Sequence, residues 1–164
     1  MRSQVSQQYL YDIIYELQKA FWDERGMGGR YRLTTVGSDY LMRQVGHRLG
    51  PSWKENLKVA LEALKSEGII GSGSCVATAE NVLKVGFKDC AHLGVDRRMT
   101  QDAGRVFACP CANFVMACID RALGTTSELA EAKVLESCEP GSCEATILVF
   151  GASLPDTGEG GVVA

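Results

Sequence analysis

Residues 132–150 read AKVLESCEPGSCEATILVF. Two runs of half-alternating apolar residues flank Glu139-Pro140-Gly141-Ser142, in which Pro suits the second position of a type II turn and Gly the third. The reading is a hairpin, with strands at about 130–138 and 143–151. Upstream, Leu83, Val85 and Phe87 alternate with Lys84, Gly86 and Lys88. This is a half-buried strand, partnered by residues 74–78 through Ala79-Glu80-Asn81.

Outside these hairpins the period is helical. Leu10, Ile13, Ile14, Leu17 and Phe21 mark a helix over 6–24 that is stopped by Gly26 and Gly28-Gly29. Leu41, Val45 and Leu49 mark a second from Ser38. A third starts at the capping box Ser52-Trp53-Lys54-Glu55 and ends at Gly68. Pro110 suits the first residue of a further helix running to Gly124, because its missing N–H has no intrahelical partner there. The polar stretch 94–108 reads as a loop or a loosely held short helix. The expected fold is α+β, an antiparallel twisted sheet of about four strands with helices on one face. Residues 1–153 read as one domain and 154–164 as a flexible tail.

The chain has 164 residues, 46% apolar and 23% charged, with a net charge of -3. That balance excludes collagen-like and disordered classes and gives no electrostatic reason for nucleic-acid binding. No run is long enough to span a membrane, and the N-terminus lacks a signal-peptide pattern, so the expected location is the cytoplasm. There is no G-x-S-x-G, no phosphate loop and no nicotinamide fingerprint.

Seven cysteines, all between residues 75 and 143, are the main anomaly. In a reducing compartment such clustering points to metal or redox chemistry. Cys109 and Cys111 lie at a helix N-terminus, where the dipole favours thiolate. Cys138 and Cys143 flank the hairpin turn, and alternation puts Glu136 on the strand face of Cys138. Packing of that helix start over the hairpin brings these groups together in a set that suits zinc, with Cys138 the favoured ligand. Other readings stay open. Cys75 and Cys118 read as buried small hydrophobes. Cys138 and Cys143 can be packed thiols or an oxidised pair, and Glu136 can face water. His92, after Cys90, can bind metal or merely accept a hydrogen bond. Four thiolates also suit an iron–sulfur cluster, and Cys109 or Cys111 can act as a redox thiol.

The pieces VLKVGFKDC (82–90), CPCANFVMACIDRALG (109–124) and AKVLESCEPGSCEATILVF (132–150) resemble the 4-vinyl reductase domain family, over about residues 82–151. The N-terminal half agrees in helix order. That family is similar in fold to small subunits of vesicle-tethering complexes. It includes sensor domains of aromatic-responsive transcription activators, hydrocarbon-binding proteins and a protein of bacteriochlorophyll synthesis. The resemblance implies a homodimer and a zinc ion held by a helix-start Cys, a Glu and two hairpin Cys: here Cys111, Glu136, Cys138 and Cys143. The family puts its Glu three residues before the first hairpin Cys. Leu135 stands there in this chain, which brings Cys109 and Glu131 in as alternatives.

The expected function is therefore a small-molecule sensor domain with a structural zinc. Its apolar or aromatic ligand is expected between helices and sheet, against Phe87, Phe114 and Val115. Catalysis is not the leading expectation. The alternatives are a reductase acting on a vinyl-bearing or tetrapyrrole substrate and a protein–protein adaptor. Tyr9, Tyr11, Tyr15 and Trp22 around the first helix are more aromatic surface than one core stripe needs, which also points to a homodimer.

Overall fold

A computed structural model describes residues 4–136 and 141–154 and the backbone of 162–163. The element order is α1 (Gln7–Arg25), α2 (Ser38–Val45), α3 (Trp53–Ser66), β1 (Ser72–Ala79), β2 (Val82–Lys88), α4 (Leu93–Ala103), α5 (Pro110–Leu123), β3 (Thr126–Val134), β4 (Ser142–Phe150) and β5 (Val162–Val163). Short 3-10 turns follow α1 and α2.

The helix boundaries follow from local chemistry. Ser52 Oγ accepts a hydrogen bond from the Glu55 amide at the start of α3. Pro110 opens α5, and Gly124 ends it in the left-handed region with φ 62°. Ser6 precedes α1 without a side-chain cap bond.

The sheet order is β3-β4-β2-β1-β5, antiparallel at each recorded pairing. The two hairpins thus lie side by side, joined through β2 and β4. One face carries Leu83, Val85, Phe87, Leu129, Ala145, Ile147 and Val149, all buried beneath the helices. The α+β expectation holds. The C-terminal backbone of Val162 and Val163 pairs with Cys75 and Ser74. The rest of the expected tail beyond Leu154 lies outside the described residues.

The helix α5 is central. Cys111 through Met116, Cys118 and Ile119 are all buried, because α2 and α3 cover one side and the sheet the other. Each large apolar side chain so buried contributes about 1.5–3 kcal/mol. Buried amides fix the surrounding chain. Asn113 Nδ2 donates to the carbonyls of Leu33 and Val36 at 2.8 and 3.1 Å. Asn56 Nδ2 donates to those of Gly50 and Cys118, both at 3.0 Å.

Two sequence expectations change. Of the two readings of the 94–108 stretch the helical one holds, but residues 93–103 form a well-packed helix and not a loosely held one, with Val95 and Met99 buried against Tyr15 and Phe107 in a second core between α1 and α4. The Tyr15 hydroxyl donates to Asp102, and the Arg98 guanidinium stacks 3.7 Å from the Tyr15 ring centre while pairing with Asp12 at 2.6 Å. The strand expected over 130–138 instead spans Thr126–Val134, so Glu136 lies beyond it. Among the described residues no helix is long and apolar enough to cross a membrane.

Candidate functional site

The two cores do not close on each other. Between them lies a cavity of about 590 Å³, within the range of small-molecule sites. Ile14, Leu17 and Phe21 of α1 form one wall, and Tyr40 and Leu41 of α2 and Leu64 of α3 form another. Ala91, His92, Ala108, Pro110 and Cys111 close the side toward the sheet. The wall is almost wholly apolar. Gly37 takes part because nothing larger fits: its φ is 86°, and a Cβ there would stand 2.5 Å from Pro110 Cβ.

Two wall side chains carry unmet hydrogen-bonding capacity. Gln18 Oε1 and His92 Nδ1 are both buried without a partner. Burial lowers the His92 pKa, so the ring is neutral near pH 7 and each ring nitrogen can serve as either donor or acceptor according to tautomer. An unmet buried polar group costs about 1–3 kcal/mol, which a ligand able to reach it can recover.

A thiol cluster backs this wall. Cys90 follows β2, where Asp89 at φ 51° turns the chain. Its Sγ lies 3.9 Å from that of Cys111 in the first turn of α5. Cys143, at the start of β4 opposite Phe87 and Val134, is the next thiol, close enough to Cys90 for each to shift the other's pKa. All three are buried. The neighbouring thiols, Cys111 first and then Cys143, stabilise the Cys90 thiolate and lower its pKa to about 3 against the opposing effect of burial. Cys111 and Cys143 are pushed up, first by the neighbouring Cys90 thiolate and then by burial.

The other expected residues are placed differently. Cys109 is buried at the α5 cap, where burial raises its pKa; it is near enough to Cys90, Cys111 and Cys143 to interact with them electrostatically, and among the described residues no sulfur–sulfur hydrogen bond joins it to them. Glu136 is exposed and ion-paired with Arg97, and Glu131 is also exposed. Cys138 lies outside the described residues. Among the described residues no group of three or more Cys, His, Asp or Glu side chains stands close enough together to hold a metal ion. Cys75 and Cys118 are buried thiols, each raised by burial to about 12, as their reading as small hydrophobes implies.

Phe87, Phe114 and Val115 do not line the cavity. They are fully buried in the main core, because α5 packs directly onto the sheet and leaves no gap there. The space opens instead under α1, one layer further out. Gln18 was missed because a single polar residue on an amphipathic helix carries no distinguishing pattern. Cys90 was legible as a strand-ending thiol, but its neighbours were not.

No known family's sequence pattern matches the chain, and no curated protein matches it either. Among solved structures, it is similar to the phenol-responsive sensory domain of the transcription activator PoxR, solved with phenol. The TM-score is 0.55 at 15% identity, covering 84% of this chain and 74% of that one. What the chain shares with that sensory domain is the fold.

Proposed function

We propose that the chain is a small-molecule sensory domain of the 4-vinyl reductase type, which takes an apolar ligand bearing one hydrogen-bonding group. The observation that carries this reading is the cavity of about 590 Å³ with an apolar wall, two of whose side chains, Gln18 and His92, hold unpartnered buried atoms. The fold likeness to a domain solved with phenol supports the same reading. The test is a thermal-shift and calorimetric series of phenols and aliphatic alcohols against hydrocarbons of matched size. Hydroxylated members should bind more tightly. Absence of binding by every member would remove the proposal.

Zinc is proposed as a structural partner of this site. The donor chemistry fits: a Zn–S bond of about 2.3 Å sets a tetrahedral S···S edge of about 3.8 Å, and Cys90 and Cys111 stand 3.9 Å apart. Of the ligands implied by resemblance, Cys111 and Cys143 lie here, with Cys138 proposed to join them. When bound, the ion supplies a cross-link and no reaction chemistry. Elemental analysis of untagged protein should return about one zinc per chain, lost in Cys138→Ser; metal-free protein from zinc-supplemented growth would refute it.

The partner proposed for α1 is a second copy of this chain. Tyr15 is buried and Tyr11 and Trp22 pack with it, so those aromatics serve the chain itself. Tyr9, Leu10, Ile13 and Leu17 remain exposed along one side of α1. Leu17 also borders the cavity, so pairing through this face covers the open side of the ligand site. Sedimentation at micromolar concentration should give a dimer that Leu17→Glu dissociates; a wild-type monomer would overturn the pairing.

A further inference from the structure

We infer that Cys90 is a thiolate ligand of the metal, acting with Cys111 and Cys143, in place of the carboxylate of Glu136 or the thiol of Cys109. The inference rests on the zinc reading above and deepens it. Three independent segments deliver these sulfurs: the turn after β2, the first turn of α5 and the start of β4. The Cys90–Cys111 separation of 3.9 Å is nearly twice the sulfur–sulfur bond of a disulfide, about 2.05 Å. It matches two ligands sharing one tetrahedral ion.

Cys143 is brought toward Cys90 because β4 pairs with β2 in the register Phe87 to Cys143. The competing donors are committed elsewhere. Glu136 faces solvent and pairs with Arg97, and the Cys109 sulfur accepts from the Ala112 and Cys111 amides at the α5 cap. Metal binding would draw Cys143 in toward the closer pair. The protons still on the three thiols leave to solvent as the ion binds.

The test loads the full chain with cobalt(II), whose thiolate charge-transfer intensity per bound ion counts sulfur ligands. Affinity is read in parallel by chelator competition. Cys90→Ser should lower the intensity by one thiolate's share. It should also weaken binding by more than the roughly 10- to 100-fold that loss of an outer-shell partner costs. Cys90→His should retain the ion with the same loss of intensity, which keeps the test decisive if the serine variant fails to fold. Glu136→Gln and Cys109→Ser should change neither reading. Full wild-type intensity in both folded Cys90 variants, or a loss in Glu136→Gln or Cys109→Ser, would overturn the assignment while leaving zinc binding intact. A wild-type chain that takes up no metal would overturn the zinc reading and this inference together.

Discussion

Cys90 Sγ and Cys111 Sγ face each other at 3.9 Å across the junction of β2 and α5. Ala91 and His92 follow the first of these residues, and Pro110 precedes the second; all of them except Cys90 line the cavity. A cross-link at this point therefore holds two sides of the ligand site at once. With zinc bound there as proposed, stripping it with a chelator should lower the melting temperature and reduce the shift produced by a bound alcohol or phenol. The stabilisation should follow mass action, about 2.7 kcal/mol at a hundredfold excess over Kd. Melting curves with and without zinc check it. Coincident curves, with an unchanged ligand shift, would disconnect the thiols from the cavity.

Gln18 sets function against stability. Its Oε1 is buried without a partner, so Gln18→Leu removes an unmet group. Denaturant unfolding should show the variant as stable as the parent or more stable by about 1 kcal/mol. Its affinity for a hydroxylated ligand should fall by roughly tenfold, the equivalent of about 1.4 kcal/mol, with hydrocarbon affinity unchanged. An equal loss for both ligand classes would mean that the residue shapes the cavity and does not read the hydroxyl.

Asp96 should make stability depend on pH. It is buried in α4 with Oδ1 unpartnered, and burial, followed by the Cys90 charge, raises its carboxyl pKa well above the usual range. The folded state therefore holds this proton more tightly than the unfolded chain. The resulting stabilisation is complete below the unfolded value of about 3.9 and is lost as pH rises toward the folded value. Asp96→Asn lacks that loss. It should be more stable than the parent at pH 7 by about 1–3 kcal/mol, with the gap closing near pH 4. Urea titrations at the two pH values measure it. A variant that is less stable at pH 7 would show that the carboxylate has a charged partner.

Gly37 has no substitute at its position. Its φ of 86° is strained for any side chain, and the Cβ of alanine would stand 2.5 Å from Pro110 Cβ. Gly37→Ala should cost about 1–3 kcal/mol and displace the α5 start, with a lower melting temperature and weaker ligand binding. Unchanged stability would mean that the loop moves away freely.

Much of the fold was legible because helix and strand periods are local. The spacing of Leu10, Ile13, Ile14, Leu17 and Phe21, the cap at Ser52 and Pro110 at a helix start each depend on residues a few positions apart. The helix α4 was less legible. Its buried stripe is thin, with Val95 and Met99 among polar neighbours, and Gly94 weakens the pattern further. Packing against Tyr15 and Phe107, far away in sequence, supplies what local propensity lacks.

The sequence by itself determined two hairpins, a helix opened by Pro110 and a supply of thiols at strand and helix ends. Only the tertiary structure decided which sulfurs meet. The insertion of β4 between β3 and β2 sets Cys143 beside Cys90, and α5 crossing over the sheet brings in Cys111. It also decided that the free space lies under α1 and not at Phe87, Phe114 and Val115. Side-chain period tells which face of an element is apolar. What that face meets depends on sheet order and helix crossing, which are fixed by contacts between segments distant in the chain.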